Sequence, residues 1–323
     1  MKSIVLFDPS QGTQNLGDYI IRDGINAQME EVFASGYVIR YSTHTPIARW
    51  YQLLKPGVIL KCCRKADYKF LCGTNLFKST LVRINSDWNI GLSSMPFYKG
   101  AVAIGCGMEH NGKVGRWITK RIYKSILSKK YIHSTRDEKT KEFLESLGFQ
   151  AINTGCPTMW GLTKEHCAAI PAKKAQKVVF TVTDYFPAPE QDREMISTLR
   201  RNYDEIYFWP QGSGDVKYLQ SLTQTDGIRI LQPTLEAYGA LLEAGGIDYV
   251  GTRLHAGIYA LQKGVRSIIL SVDNRARDIE QTHKLPTLER ENVKMLEQKL
   301  YETIVTDTGI DQEKIERFRK QFL

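Results

Sequence analysis

The segment Asp248-Tyr249-Val250-Gly251-Thr252-Arg253-Leu254-His255-Ala256-Gly257 compresses a strand, a glycine turn and a helix start into ten residues. Such a run is the opening of a βαβ unit, and the same rhythm extends from it in both directions. Around it, residues 177–182, 206–209, 228–231, 248–251 and 267–271 read as strands, with helices at 235–244 and 254–263 between the last three. Upstream, residues 3–7 form a strand candidate, followed by a loop and a helical pattern over 18–33. In that pattern Ile20, Ile21, Ile25, Met29 and Val32 recur at three- and four-residue spacings. Further strands are expected at 37–41, 68–72, 101–105, 131–134 and 151–154. A helix at 139–147 is stopped by Gly148. Short strands alternating with helices imply parallel sheets. A chain of 323 residues exceeds what one core usually serves. The polar, Pro- and Lys-bearing stretch 163–177 separates two such sheets. The expectation is therefore an α/β protein of two Rossmann-like domains, residues 1–165 and 176–323, facing across a cleft. Ligands in such domains bind at loops that follow the carboxyl ends of the strands.

The apolar fraction of 42% and charged fraction of 24% are those of an ordinary globular protein. The amino terminus enters an apolar run at once, without the charged start and cleavage site of a secretory signal. No apolar run approaches the ~18 residues of a membrane span. A cytoplasmic protein is expected, with the inner face of the cell membrane as one place of work. Cys62 and Cys63 are adjacent and the other four cysteines are scattered, a pattern of reduced thiols. No Cys/His grouping has zinc-ligand spacing, so no metal is expected. A net charge of +9 favours an anionic partner. No nucleic-acid module is recognisable and aromatics are not interleaved with the basic runs, so nucleic acid is not expected. Residues 113–130 are basic and lack any acid, with Val114, Ile118, Ile122 and Ile126 at helical spacing beside Lys113, Lys120, Arg121 and Lys124. This segment reads either as a core-packed helix with a basic outer face or as a peripheral contact with an anionic membrane.

Several strand-end loops carry polar residues suited to chemistry. Asn15-Leu16-Gly17-Asp18 follows the first strand and opens a helix, where free N–H groups favour anions. Asp18 there is either a helix cap or a base acting on a hydroxyl. Cys72-Gly73-Thr74-Asn75 and Gly105-Cys106-Gly107-Met108 allow tight turns. The second fails the dinucleotide fingerprint because His110 stands where the third glycine belongs. In Ser134-Thr135-Arg136-Asp137, the arginine can grip phosphate or carboxylate with its planar fork, or pair with a structural carboxylate, and Asp137 is a cap candidate. Arg253 and His255, at a helix start, combine a fixed cation, a titratable imidazole and the helix dipole. Asn274 and Arg275 follow the strand 267–271. Trp209-Pro210-Gln211-Gly212-Ser213-Gly214-Asp215 and Asp184 occupy comparable strand-end positions.

Taken in order, Asn15-Leu16-Gly17-Asp18 with Ile21, Ser134-Thr135-Arg136-Asp137, Thr252-Arg253-Leu254-His255-Ala256 and the run from Lys263 to Asp273 resemble the polysaccharide pyruvyl transferase family. The likeness spans roughly residues 4–280. It implies paired Rossmann-like halves resembling the GT-B glycosyltransferases. It also implies transfer of the enolpyruvyl group of phosphoenolpyruvate to a sugar of a cell-surface polysaccharide or its precursor, giving a pyruvate ketal. Phosphoenolpyruvate would be the donor substrate with no separate cofactor, and a glycan or lipid-linked oligosaccharide the acceptor. Under this resemblance His255 and Asp18 are the catalytic candidates. Arg136, Arg253, Asn15, Gly17 and Asn274 are the substrate-binding ones. The first domain would serve the acceptor and the second the donor. Two alternatives stay open: a nucleotide-sugar-dependent glycosyltransferase of the same architecture, and a carbohydrate- or phosphate-binding protein without turnover.

Overall fold

The computed structural model describes the chain apart from residues 79–87, 89, 91, 109–116 and 273–282. The chain divides into two compact units, the first comprising Met1–Thr13, Ile21–Trp160 and Asp311–Leu323, the second Gln14–Ile20 and Gly161–Ile310. Two longer segments thus fall on the other side of the sequence-based boundaries, residues 14–20 and 311–323, and the short run 161–165 does so as well.

Packing explains the second of these. The helix Gln312–Lys320 buries Ile315 and Phe318. Beyond it, Phe322 sets its ring edge-on to Phe70 at 4.9 Å and to Tyr68 at 5.5 Å. The Gln321 side chain closes both backbone groups of Ile132, each at 2.9 Å. The tail therefore completes the first core. Segment 14–20 joins the second unit through its backbone: Leu16 N donates to Gln211 O at 2.9 Å, and Asn15 bridges Gly212.

In the first unit, β1 (Lys2–Asp8), β2 (Gly36–Ser42), β3 (Tyr68–Cys72) and β4 (Val102–Ile104) form a parallel sheet in the order β2-β1-β3-β4. The run Ile4–Phe7 is buried throughout, as expected of a central strand covered on both faces. β5 (His133–Thr135) and β6 (Ala151–Asn153) pair with each other in parallel. Between β4 and β5 there is no full ladder. Cys106 bridges Thr135, Ala103 N donates to His133 Nδ1 at 3.1 Å, and Gly105 N donates to Ser134 Oγ at 2.8 Å. Side chains thus complete the sheet where backbone partners are missing. The core beside it is aromatic, with Phe7, Phe77, Trp88, Tyr98 and Tyr123 all buried.

In the second unit, β7 (Lys177–Thr181), β8 (Glu205–Phe208), β9 (Ile228–Ile230), β10 (Ile247–Gly251), β11 (Ser267–Ser271) and β12 (Thr287–Glu289) form one parallel sheet in the order β12-β11-β10-β7-β8-β9. This is the doubly wound order, with its switch point between β7 and β10, beyond whose carboxyl ends ligands bind in such sheets. Apolar residues of the central strands, such as Val178, Phe180, Val250 and Ile268, pack with Met195, Ile196 and Leu199 of the helix Pro189–Asn202. Most expected strands lie within a residue or two of those observed. β12 is the exception, because three partly buried residues, Thr-Leu-Glu, carry too little pattern to be read. The helix expected over 18–33 is two helices, Leu16–Gln28 and Glu30–Ala34, separated by Met29 at φ −111° and ψ 17°. Among the described residues, no helix is long and apolar enough to cross a membrane.

Candidate functional site

In the second unit, the switch point is where the sequence-predicted residues gather. The chain leaves β10 at Gly251, and Arg253 takes the cap position of the helix Leu254–Gln262. Its backbone is pinned from both sides. Arg253 N donates to Thr181 Oγ1 at 3.2 Å, and Tyr249 OH donates to Arg253 O at 2.8 Å. The side chain is buried. Nε donates to Asp215 Oδ2 at 3.1 Å and Val182 O at 3.3 Å, and Nη2 to Asp184 Oδ1 at 3.0 Å and to Asp215 Oδ1. The guanidinium also lies over the Tyr185 ring, 4.7 Å from its centroid. Nη1 takes no part in this network.

Asp215 is fully buried. Burial raises its carboxyl above the usual carboxylate range, while the Arg253 guanidinium and the Gly212 N–H pull in the opposite direction. Asp215 also accepts from Gln211 N at 3.1 Å and Gly212 N at 2.8 Å, which folds the Trp209–Asp215 loop around it. Gly212 is required there, since a Cβ would stand 2.5 Å from Arg253 Nη2. The loop then meets the N-terminal motif. Gln211 Nε2 donates to Asn15 Oδ1 at 2.8 Å, and Gly17 N donates to the same oxygen at 3.1 Å. Asn15, rather than Asp18, therefore caps the helix Leu16–Gln28. Asp18 lies buried in its first turn, with its own N–H on Asn15 O at 3.1 Å. His255 is buried in the first turn of the helix Leu254–Gln262. Asn274 lies outside the described residues.

In the first unit, Arg136 follows β5 and is buried. Arg136 N donates to Cys106 O at 3.0 Å, and Nη2 donates to Asn75 Oδ1 at 2.6 Å. A Cβ on Gly107 would lie 2.5 Å from Arg136 Nη2 and 2.8 Å from Asn75 Oδ1, so that glycine leaves the space the guanidinium fills. The nearest carboxylate is that of Asp137, whose Oδ2 is 3.8 Å from Nε. Asp137 is the helix cap expected from the sequence, and its Oδ1 accepts from Thr140 N and Thr140 Oγ1, each at 2.7 Å. Among the described residues, Arg136 Nε has no hydrogen-bond acceptor although it is buried.

The loops singled out in the sequence thus come together in two groups: Asn15, Gly17, Gln211, Asp184, Asp215 and Arg253 in one unit, and Asn75, Gly107 and Arg136 in the other. What the sequence did not reveal is the pairing. Asp215 and Asn75 were read as parts of glycine loops, and neither carried a sign that it would meet an arginine. Tyr185 was not singled out at all.

Two units of parallel α/β sheet with charged side chains at their strand ends are the architecture of the GT-B fold. Solved structures bear this architecture. The UDP-GlcNAc 2-epimerase of Neisseria meningitidis bound to UDP-GlcNAc matches with a TM-score of 0.55 and 12% identity, over 99% of each chain. S. aureus MnaA with UDP matches at 0.54 and 12%, over 98% of this chain and 94% of that one. The UDP-GlcNAc 2-epimerase of Methanocaldococcus jannaschii in complex with UDP-GlcNAc and UDP matches at 0.53 and 12%, over 99% and 98%. At such identity the likeness is one of fold. No curated protein matches. The profile of the polysaccharide pyruvyl transferase family matches residues 15–274, and the chain belongs to that family.

Proposed function

We propose that the protein transfers the enolpyruvyl carbons of phosphoenolpyruvate to two hydroxyls of one sugar of a cell-surface polysaccharide or its precursor, forming a cyclic pyruvate ketal and releasing phosphate. The observation that carries this reading is the state of Arg136. It is a buried cation whose direct hydrogen-bond partners in the described structure are neutral, with a buried donor left over. Asp137, 3.8 Å from Nε, offsets part of this charge without accepting a hydrogen bond from it, and an anionic ligand would supply the missing acceptor. Phosphoenolpyruvate brings both a carboxylate and a phosphate.

The reaction balances without water. The methylene carbon takes up one proton and becomes the methyl group, which makes the neighbouring carbon electrophilic. One hydroxyl attacks there, phosphate leaves, and the second hydroxyl closes the ring. Of the two hydroxyl protons, one matches that gained by the methyl and the other leaves with phosphate. In this proposal His255 supplies the proton or steadies the departing phosphate, and Asp18 assists the acceptor hydroxyl. Asn15, Gly17 and Asn274 serve substrate binding and Arg136 holds the donor, while Arg253, clasped by Asp184 and Asp215, braces the switch point instead of holding the donor as the sequence suggested. The cytoplasmic setting belongs to the same proposal, because phosphoenolpyruvate is a metabolite of that compartment.

The nucleotide-sugar alternative draws support from the UDP ligands of the structural neighbours. In this chain, however, the cation at the switch point faces two carboxylates, which disfavour a diphosphate beside them. A phosphate-release assay with phosphoenolpyruvate and a panel of glycans, read by mass spectrometry for a pyruvyl adduct, decides between them. Thermal stabilisation by phosphoenolpyruvate and not by UDP-sugars is the expected companion result. Stabilisation by UDP-sugars alone, with no adduct formed, would overturn the proposal. Undiminished turnover in His255→Gln would remove the proton-transfer role from that residue.

A further inference from the structure

Among its described residues, the first unit carries a surface segment that is both strongly apolar and strongly basic. Between Arg49 and Lys65 there is no acidic residue, and Arg49, Lys55, Lys61, Arg64 and Lys65 are all exposed. Among them stand Trp50 at 73% exposure, Leu54 at 82%, Val58 at 76% and Ile59 at 64%. These side chains do not protrude from a loosened loop. The helix Val58–Lys65 buries Leu60 and Cys63 in the core, so Val58 and Ile59 are held outward by a packed element. Elsewhere among the described residues, large exposed apolar side chains occur singly or in pairs.

A neighbouring helix repeats the composition. Trp117–Ile126 turns Thr119, Tyr123 and Ile126 inward and exposes Trp117 and Ile118 beside Lys120, Arg121 and Lys124. This corrects the stripe read from the sequence, because Ile118 is on the outer face. Both helices pack against the short helix Met95–Tyr98.

We propose that the surface formed by residues 49–65 docks onto an anionic lipid bilayer, with Trp50, Leu54, Val58 and Ile59 entering the headgroup–acyl boundary and the basic residues meeting lipid phosphates. Aliphatic and tryptophan side chains interspersed with uncompensated cations are the chemistry of an interfacial helix. A second copy of the chain is the poorer occupant, since a two-fold contact would set this positive surface against itself. The inference does not depend on the reaction proposed above.

Co-sedimentation of the full chain with vesicles tests it, using phosphatidylcholine alone and an equal mixture of phosphatidylcholine and phosphatidylglycerol. Binding is expected to the anionic vesicles and to weaken with added salt. The variants Leu54→Ser/Val58→Ser/Ile59→Ser and Lys61→Glu/Lys65→Glu should each lose vesicle affinity by on the order of tenfold or more. Their melting curves and their phosphate release on a soluble acceptor should stay as in the wild type, because all five side chains are exposed. Failure of the wild type to sediment with anionic vesicles would overturn the proposal. So would variants that bind like the wild type, or loss of binding only in Trp117→Ser/Ile118→Ser. A wild-type dimer that the triple variant abolishes, without vesicle binding, would assign the surface to a second copy instead.

Discussion

Arg136 and Arg253 stand in the same local setting and differ in what surrounds their charge. Each follows a parallel strand, is buried, and rests against a glycine whose Cβ would come within 2.5 Å of Nη2. Arg136 is held by the neutral amide of Asn75, whereas Arg253 is clasped by the carboxylates of Asp184 and Asp215. The strands that carry them differ as well. β10 has a backbone ladder on both sides, while β5 reaches β4 through the side chains of His133 and Ser134. A strand-end arginine can therefore be a brace or a ligand contact, and the charge of its partner separates the two.

The largest effect that this comparison predicts is on stability. Arg253→Ala leaves the Asp215 carboxylate buried without its counter-charge and should cost about 3–5 kcal/mol in urea unfolding. A variant that unfolds like the wild type yet loses phosphoenolpyruvate affinity would make Arg253 the ligand contact and erase the contrast.

The next concerns pH and the strand below Arg136. His133 is buried, with Nδ1 accepting from Ala103 N and Nε2 2.8 Å from Ser128 O, a geometry that suits the neutral ring. Burial lowers its pKa from 6.5 to about 4, so the unfolded chain binds this proton at a higher pH than the folded one. Its contribution to stability is complete above the unfolded value, falls as the pH drops through that interval, and levels off below the folded value. The loss should be on the order of 3 kcal/mol. NMR titration of the ring, together with hydrogen exchange at the Ala103 amide, measures it. A midpoint near that of free histidine would show that β5 is not held in this way.

A smaller effect is expected for Arg136→Gln, this time on ligand affinity. Loss of one charge-assisted contact should weaken phosphoenolpyruvate binding by roughly 1.5–3 kcal/mol, with little change in unfolding. Calorimetric titration of a folded variant with unaltered affinity would exclude the residue from donor recognition. Smallest are the paired glycine substitutions, each worth about 1–3 kcal/mol from the displaced neighbour. Gly107→Ala should show mainly as weaker phosphoenolpyruvate binding, and Gly212→Ala mainly as a lower melting temperature. The reverse pattern would exchange the roles of the two arginines.

Much of this molecule was readable in one dimension. The strands 68–72 and 267–271 appear where apolar and β-branched residues cluster between turn residues, because strand formation follows local pattern. Asp137 was legible as a cap for the same reason, since the oxygen and the N–H it meets are three residues apart. Asp18 was misread as a cap, because Asn15, three residues earlier, takes that place and leaves Asp18 inside the first turn. The outward face of Trp117–Ile126 was likewise hidden, because a stripe of helical spacing does not tell which side meets the core.

By itself the sequence determined the alternation of strands and helices, the doubly wound class, the family, and the presence of arginines at strand ends. All of these rest on residues close together in the chain. Only the tertiary structure decided that Asp215, 38 positions from Arg253, would neutralise it, and that Asn75, 61 positions from Arg136, would not. It also decided that residues 14–20 and 311–323 belong with the units they join. Coulombic and desolvation energies depend on separation in space, and separation in space is set by packing rather than by neighbouring residues along the chain.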